Sequence, residues 1–171
     1  MDRAVICFTR APVPGQTKTR LMPLLSGEAC AGLHAAFLRD VARACRATGA
    51  AVYVAYTPEG GRGPLADIFP FARGLFPQEG ADLGQRMAAA MDRVLALGHS
   101  ACVLIGSDLP LLTAAHLNGA FAALEGADAT LGPTLDGGYY LVGLKRPCPS
   151  LFAGKRYGSG DVYGDAVAAP E

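Results

Sequence analysis

Short, almost wholly apolar runs alternate along this chain with longer stretches in which apolar residues return every three or four positions. Residues 4–9 (AVICFT), 51–57 (AVYVAYT) and 101–106 (ACVLIG) are too short for a stable helix and too uniformly apolar for a strand with one wet face. They predict buried, parallel strands. Between the first two, SGEACAGLHAAFLRDVARACRATG offers Ser26 as a cap, sets Cys30, Leu33, Phe37, Val41 and Ala44 on one helical face, and closes at Gly49. A second helix is predicted in ADLGQRMAAAMDRVLALG, where Asp82 and Gln85 suit a capping box, Leu83, Met87, Met91 and Val94 form the stripe, and Gly98 ends it. The two methionines read as core filling, not as ligands. A third helix starts at Thr113, buries Leu117, Phe121 and Leu124, and stops at Gly126.

Strand and helix in strict alternation predict an α/β fold, a three-layer sandwich around a mostly parallel, Rossmann-like sheet with right-handed crossovers. From residue 129 the pattern changes. Two short strands, around 129–131 and 139–144, flank Pro133 and the Gly137–Gly138 pair, which predicts a mixed sheet edge. The exposed side of the second is expected to be free to pair with another subunit, giving a homodimer. TPEGGRGP, residues 57–64, reads as a mobile loop.

A length of 171 residues suits one domain, taken as 1–171. The 15 Lys and Arg balance 15 Asp and Glu, so no long-range positive field exists to recruit nucleic acid, and any anion site must be local. Five scattered cysteines without a C-x-x-C pair argue against a disulfide framework or a zinc site and favour the reducing cytoplasm. No stretch reaches the roughly 18 apolar residues of a membrane span.

A local anion site is suggested by FTRAPVPGQTKTRL, behind the first apolar run. Pro12, Pro14 and Gly15 suffice to reverse the chain, which leaves Arg10, Lys18 and Arg20 to be explained as a cradle for an anion. Ligands of open α/β sheets bind beyond the carboxyl ends of the strands. The exit of the third run, IGSDLP, presents Ser107 and Asp108 there, and Asp108 lies five residues before Thr113, the better helix cap. Cations for phosphates plus a hard oxygen ligand for Mg²⁺ or Mn²⁺ predict a site for a nucleoside di- or triphosphate. Asp136 in LDGGYYL is a second acid, beside glycines that let a ligand approach, and reads equally well as part of a hairpin turn. Asp161 and Asp165 are weaker candidates.

Other chemistries fall away. PGQTKT has Thr17 and Pro12 where a P-loop needs glycines, no G-x-G-x-x-G follows a strand, and GSD is not a nucleophile elbow. His34, His99 and His116 have no metal-binding spacing and read as surface or packing residues.

TRAPVPGQTKTRL, GADLGQRM, LIGSDLPLL and GPTLDGGYYLVGL occur in that order. With them the chain resembles bacterial glycosyltransferase-A-like proteins of poorly defined function, relatives of the nucleotide-diphospho-sugar transferases and, more distantly, of the molybdenum-cofactor and 2-phospholactate guanylyltransferases. The resemblance covers about residues 3–152. It implies a nucleotide pocket at the carboxyl ends of the first strands, with Arg10, Lys18 and Arg20 on the phosphates and Gly15 in their loop. Asp108 takes the metal-binding acid position, preceded by Ser107, and Lys18, Asp108 and Asp136 form the catalytic set. Gln78 and Gly80 would lie near base or sugar, Gln85 and Arg86 at a helix start lining the pocket, and Asp136, Gly137 and Gly138 on the acceptor side. The implied function is metal-dependent glycosyl transfer from a nucleoside-diphosphate sugar to a small-molecule acceptor. The alternatives are nucleotidyl transfer from a triphosphate to a small phosphorylated acceptor, or a nucleotide-binding module without catalysis.

Two departures from the family pattern stand out. YGSGDV keeps Ser159 of a W-S-T-like segment but has Gly158 and Gly160 in the flanking places. The acidic D-x-D-T-P-x-D-like stretch that generally follows in the family has no counterpart before Glu171. The expectation is a missing C-terminal segment and with it a second metal ligand, unless Asp136 or Asp161 substitutes.

Overall fold

Runs that bury both faces can only sit inside a sheet covered by helices on either side, and the structure is built that way. The computed structural model describes residues 2–154 and 162–168, in the order β1 (Arg3–Arg10), α1 (Gly27–Ala47), β2 (Ala51–Thr57), α2 (Arg62–Ile68), β3 (Gly74–Pro77), α3 (Leu83–Leu95), β4 (Ala101–Ile105), α4 (Ala114–Gly126), β5 (Ala129–Pro133), β6 (Tyr139–Leu144), α5 (Pro149–Phe152) and α6 (Val162–Val167). The strands pair as β3-β2-β1-β4-β6-β5. The first four run parallel, while β6 is antiparallel to both β4 and β5.

Alternation along the central strands feeds two cores. Val5, Cys7, Val54, Val103 and Ile105 meet Leu38 and Val41 of α1, Leu65 of α2, and Leu117 and Phe121 of α4. Ala4, Ile6, Ala55 and Leu104 point the other way, onto Met87, Met91 and Val94 of α3 and Leu151 and Phe152 of α5. Each fully buried Leu or Ile stabilises the fold by about 1.5–3 kcal/mol relative to exposure. Cys7, Cys45 and Cys102 are core filling, and burial pushes their thiols up, that of Cys45 to about 12.

Caps behave as the sequence suggests. Ser26 accepts from Ala29 N, Asp82 accepts from Gln85 N, and Thr113 precedes α4. The return bond of Gln85 goes to Ala81 N rather than to Asp82.

Four expectations need correction. The segment read as a mobile loop from 57 to 64 contains a 3-10 turn at Glu59–Gly61 and the start of α2, because Leu65, Ile68 and Phe69 give a glycine-rich stretch an apolar face to bury. β3 went unanticipated, since only Phe76 of its four residues is buried. The inward stripe of α1 is Cys30, His34, Leu38, Val41 and Cys45, with Leu33 exposed and Phe37 half-buried; a histidine in an apolar row disguised the register. Finally, β6 is an interior strand, so it has no free edge for a second subunit, and β5 forms that side of the sheet. The candidates Ser159 and Asp161 lie outside the described residues. Among the described residues, no helix is long and apolar enough to cross a membrane.

The loop after β1 is packed tightly against the start of α2. A Cβ on Gly61 would stand 2.3 Å from Ala11 Cβ. Gly61→Ala should therefore cost roughly 1–3 kcal/mol in urea unfolding, and less when Ala11→Gly supplies the space. Equal costs in the two backgrounds would mean that these positions do not meet.

Candidate active site

The chain reaches β3 on one side of β1 and then crosses to β4 on the other, so the carboxyl ends of β1 and β4 flank the switch point of the sheet, where loops diverge and leave a crevice. The loop after β1 carries Lys18, and the exit of β4 carries Asp108. The two side chains meet across the crevice, with Lys18 Nζ donating to Asp108 Oδ1 at 2.6 Å.

Lys18 is held there at a local cost. Its backbone is left-handed, φ 48° and ψ 39°, the only described non-glycine residue with positive φ, and such a conformation costs a branched or long side chain about 1–2 kcal/mol. Its ammonium lies 4.7 Å from the centre of the Phe37 ring, and its side chain is only 12% exposed, against 70% for Asp108. The cation is thus pre-placed and partly desolvated, while its carboxylate partner faces solvent. Arg10, at the end of β1, and Arg20, in a 3-10 turn at Thr19–Leu21, are exposed and form no ion pair with a described residue. Gly15 has φ +75° and packs against the start of α1, where a Cβ on Gly27 would lie 2.9 Å from Gly15 N.

His34 joins this group from α1, a residue that the sequence reading assigned to packing. It is 4% exposed. Its Nε2 is 2.9 Å from Arg10 O and 3.3 Å from Thr9 Oγ1, and its Nδ1 lies 3.8 Å from Asp108 Oδ1 with no hydrogen-bond partner among the described residues. Burial lowers its pKa below the ordinary histidine value; the Arg10 carbonyl and the Asp108 charge oppose that shift and the Lys18 charge adds to it. The signal in the sequence was a polar ring on the inward side of α1.

The third segment, after β3, is chiefly a buttress. Gln78 Nε2 donates to Thr9 O and Ala55 O, both at 3.1 Å, and so ties the ends of β1 and β2 together. Arg86 Nε donates to Gly80 O at 2.9 Å. Gly80 has φ +140°, and a Cβ there would stand 2.8 Å from Arg86 N, so only glycine lets the chain pass so close to α3. The same bonds fix the start of α3 at the carboxyl edge.

Asp136 belongs to the turn between β5 and β6. Its carboxylate accepts from the Thr134 hydroxyl and from Gly138 N, and Gly137, at φ +79°, closes the turn through a bond from its N–H to Thr134 O. Gly106 N donates to Tyr140 O, which brings the Asp136 turn to the same rim as Ser107 and Asp108. Asp165 lies in α6, whose Tyr163 N donates to Gly137 O and so docks that helix on the turn. A cavity of about 300 Å³ opens beside Asp108, walled by Leu109, Leu111, Leu112, His116 and Tyr140.

Whether a divalent cation suits this cleft depends on its donors. Among the described residues, no three His, Cys, Asp or Glu side chains converge into a ready-made cage. Asp108 supplies one hard carboxylate, and beside it lies the orphaned nitrogen of His34. That set fits an ion such as Mg²⁺ or Mn²⁺ that keeps waters and takes further oxygens from substrate phosphates, and it does not fit a closed structural site.

Sheet order and switch-point cleft define a protein of the nucleotide-diphospho-sugar transferase fold. Residues 33–159 match the family described as "Uncharacterized protein conserved in bacteria (DUF2064)", and the chain belongs to that family. It is similar to the crystal structure of a "putative nucleotide-diphospho-sugar transferase" from Desulfovibrio desulfuricans G20, with 33% identity and a TM-score of 0.87 over 97% of this chain and 74% of that one. A cytidylyltransferase from Leptospira borgpetersenii serovar Hardjo-bovis (strain JB197) shares the fold, with a TM-score of 0.56 at 14% identity over 92% of this chain and 66% of that one. No protein of curated function matches the chain significantly.

The Thr134 hydroxyl, and after it Gly138 N–H, hold the Asp136 carboxyl below its ordinary pKa. A depressed acid contributes stability above its unfolded-state pKa and loses it as the pH falls through the folded value. Thr134→Val should raise the Asp136 midpoint toward 3.8 in an NMR titration, with a stability deficit at neutral pH that narrows on acidification. An unmoved midpoint would show that the hydroxyl does not hold this carboxylate.

Proposed function

We propose that the protein is a metal-dependent glycosyltransferase that binds a nucleoside-diphosphate sugar across the carboxyl ends of β1 and β4. The observation that carries this reading is the meeting of Lys18 and Asp108 at the switch point. The 33% identical neighbour, described as a "putative nucleotide-diphospho-sugar transferase", supports the class of donor.

In this reading Lys18, Arg10 and Arg20 bind the diphosphate through charge-assisted hydrogen bonds, which are about twice as strong as neutral ones. Lys18 does so by exchanging its carboxylate partner for a phosphate oxygen. Release from Lys18 leaves Asp108 free to hold Mg²⁺ or Mn²⁺, which when bound neutralises charge on the diphosphate leaving group. The chemistry is electrostatic and needs no covalent nucleophile: Lys18 and the two arginines would stabilise the negative charge that builds on the departing diphosphate. The cavity bounded by Asp108, His116 and Tyr140 is the space for the acceptor, with Asp136 shaping its rim through the turn rather than by direct contact. Gln78, Gln85 and Arg86 hold the loop ends that border the nucleotide.

Nucleotidyl transfer would use the same cations on a departing pyrophosphate, so the product decides between the two. Incubation with Mn²⁺ and panels of nucleotide sugars and nucleoside triphosphates should release nucleoside diphosphate; pyrophosphate release would favour the alternative. Nucleotide binding without either product would identify a binding module. In calorimetry, Lys18→Ala should weaken nucleotide binding by roughly 1.5–3 kcal/mol, and Asp108→Ala should abolish its metal dependence. Unchanged affinity in both variants would remove the site.

A further inference from the structure

We propose that His34 is the second protein ligand of the divalent cation, with its Nδ1 and the Asp108 carboxylate forming a nitrogen–oxygen pair that favours Mn²⁺ over Mg²⁺. This rests on the nucleotide reading above and deepens it, because it adds a residue of α1 to the site of the ion.

Three observations carry it. First, Nδ1 is a buried polar atom without a hydrogen-bond partner among the described residues, at a position where a packing histidine would satisfy both nitrogens. Second, the other nitrogen is committed: Nε2–H donates to the Arg10 carbonyl at 2.9 Å, so the neutral ring turns its Nδ1 lone pair toward the cleft. A backbone carbonyl behind the far ring nitrogen is the usual arrangement that orients a metal-bound imidazole. Third, Nδ1 and Asp108 Oδ1 are 3.8 Å apart. Adjacent oxygen or nitrogen donors of an octahedral ion, each about 2.1 Å from it, stand roughly 3.0 Å apart, so the pair must close by less than about 1 Å, which the exposed Asp108 side chain can do once Lys18 leaves it.

His99 also has an unpartnered Nδ1, 3.4 Å from Asp2 Oδ1, but it lies at the amino edge of the sheet with Tyr53 OH on its other nitrogen. That place is far from the switch-point cleft, so it offers no phosphate-binding neighbour for an ion. At His34 the carboxylate is already neutralised by Lys18, so its nitrogen stays without a partner until Lys18 turns to phosphate. Mg²⁺ takes oxygen ligands and gives up its waters reluctantly, whereas Mn²⁺, though also oxygen-preferring, is a first-row transition ion that accepts an imidazole more readily, which is the basis of the expected preference.

Pulsed EPR on the folded protein with Mn²⁺ and inorganic pyrophosphate tests the assignment without requiring turnover or knowledge of the base. The expected spectrum shows ³¹P coupling from pyrophosphate together with imidazole nitrogen modulation that changes when the protein carries ¹⁵N-histidine. Asp108→Asn should abolish the nitrogen signal and release the Mn²⁺–pyrophosphate complex from the protein in equilibrium dialysis. In His34→Gln, checked for folding by circular dichroism, the nitrogen signal should vanish and Mn²⁺ affinity should fall at least tenfold, with a smaller effect on Mg²⁺. Bound Mn²⁺ with ³¹P coupling but no histidine nitrogen would overturn this inference and leave the nucleotide reading standing. Absence of any bound Mn²⁺ in the presence of pyrophosphate would overturn both.

Discussion

A single ion pair, Lys18 to Asp108, connects the two loops that leave the sheet at its switch point, and the rest of the cleft is arranged around it. Stability does not account for it. An ion pair with one partner largely in water contributes about 0–1 kcal/mol, whereas holding a lysine in the left-handed region costs about 1–2 kcal/mol. The balance is unfavourable unless the cation has work to do when a ligand arrives. The surroundings point the same way: Phe37 under the ammonium and the buried His34 beside the carboxylate restrict both charges to one small volume.

The sheet makes that meeting possible. β1 and β4 are adjacent parallel strands, fully covered by helices on both faces, so their carboxyl ends are fixed relative to each other. Gln78 adds a second restraint by bridging Thr9 O and Ala55 O. The loops can then differ in sequence while the distance between their functional groups stays set by the core.

Most of the architecture was legible because the apolar runs at 4–9, 51–57 and 101–106 are buried on both faces and the helices between them carry recognisable caps. Legibility failed where tertiary contacts override pattern. α2 hides in a glycine-rich segment, β3 has one buried residue in four, and β6 takes an interior place that no local property of Tyr139–Leu144 reveals. In the cleft, Lys18 and Asp108 could be read from their positions just beyond strand ends. His34 could not, since a lone histidine among apolar residues usually signals packing, and its importance depends on a carboxylate more than seventy residues away in sequence. Asp136, conversely, drew notice for its glycines, and its carboxylate is occupied within its own turn.

The most direct test is a crystal structure with a nucleoside diphosphate and Mn²⁺ bound. The account predicts the diphosphate above the ends of β1 and β4, with Lys18 on a phosphate oxygen and its contact with Asp108 opened. A nucleotide seated elsewhere on the molecule, with the Lys18–Asp108 pair intact, would contradict it.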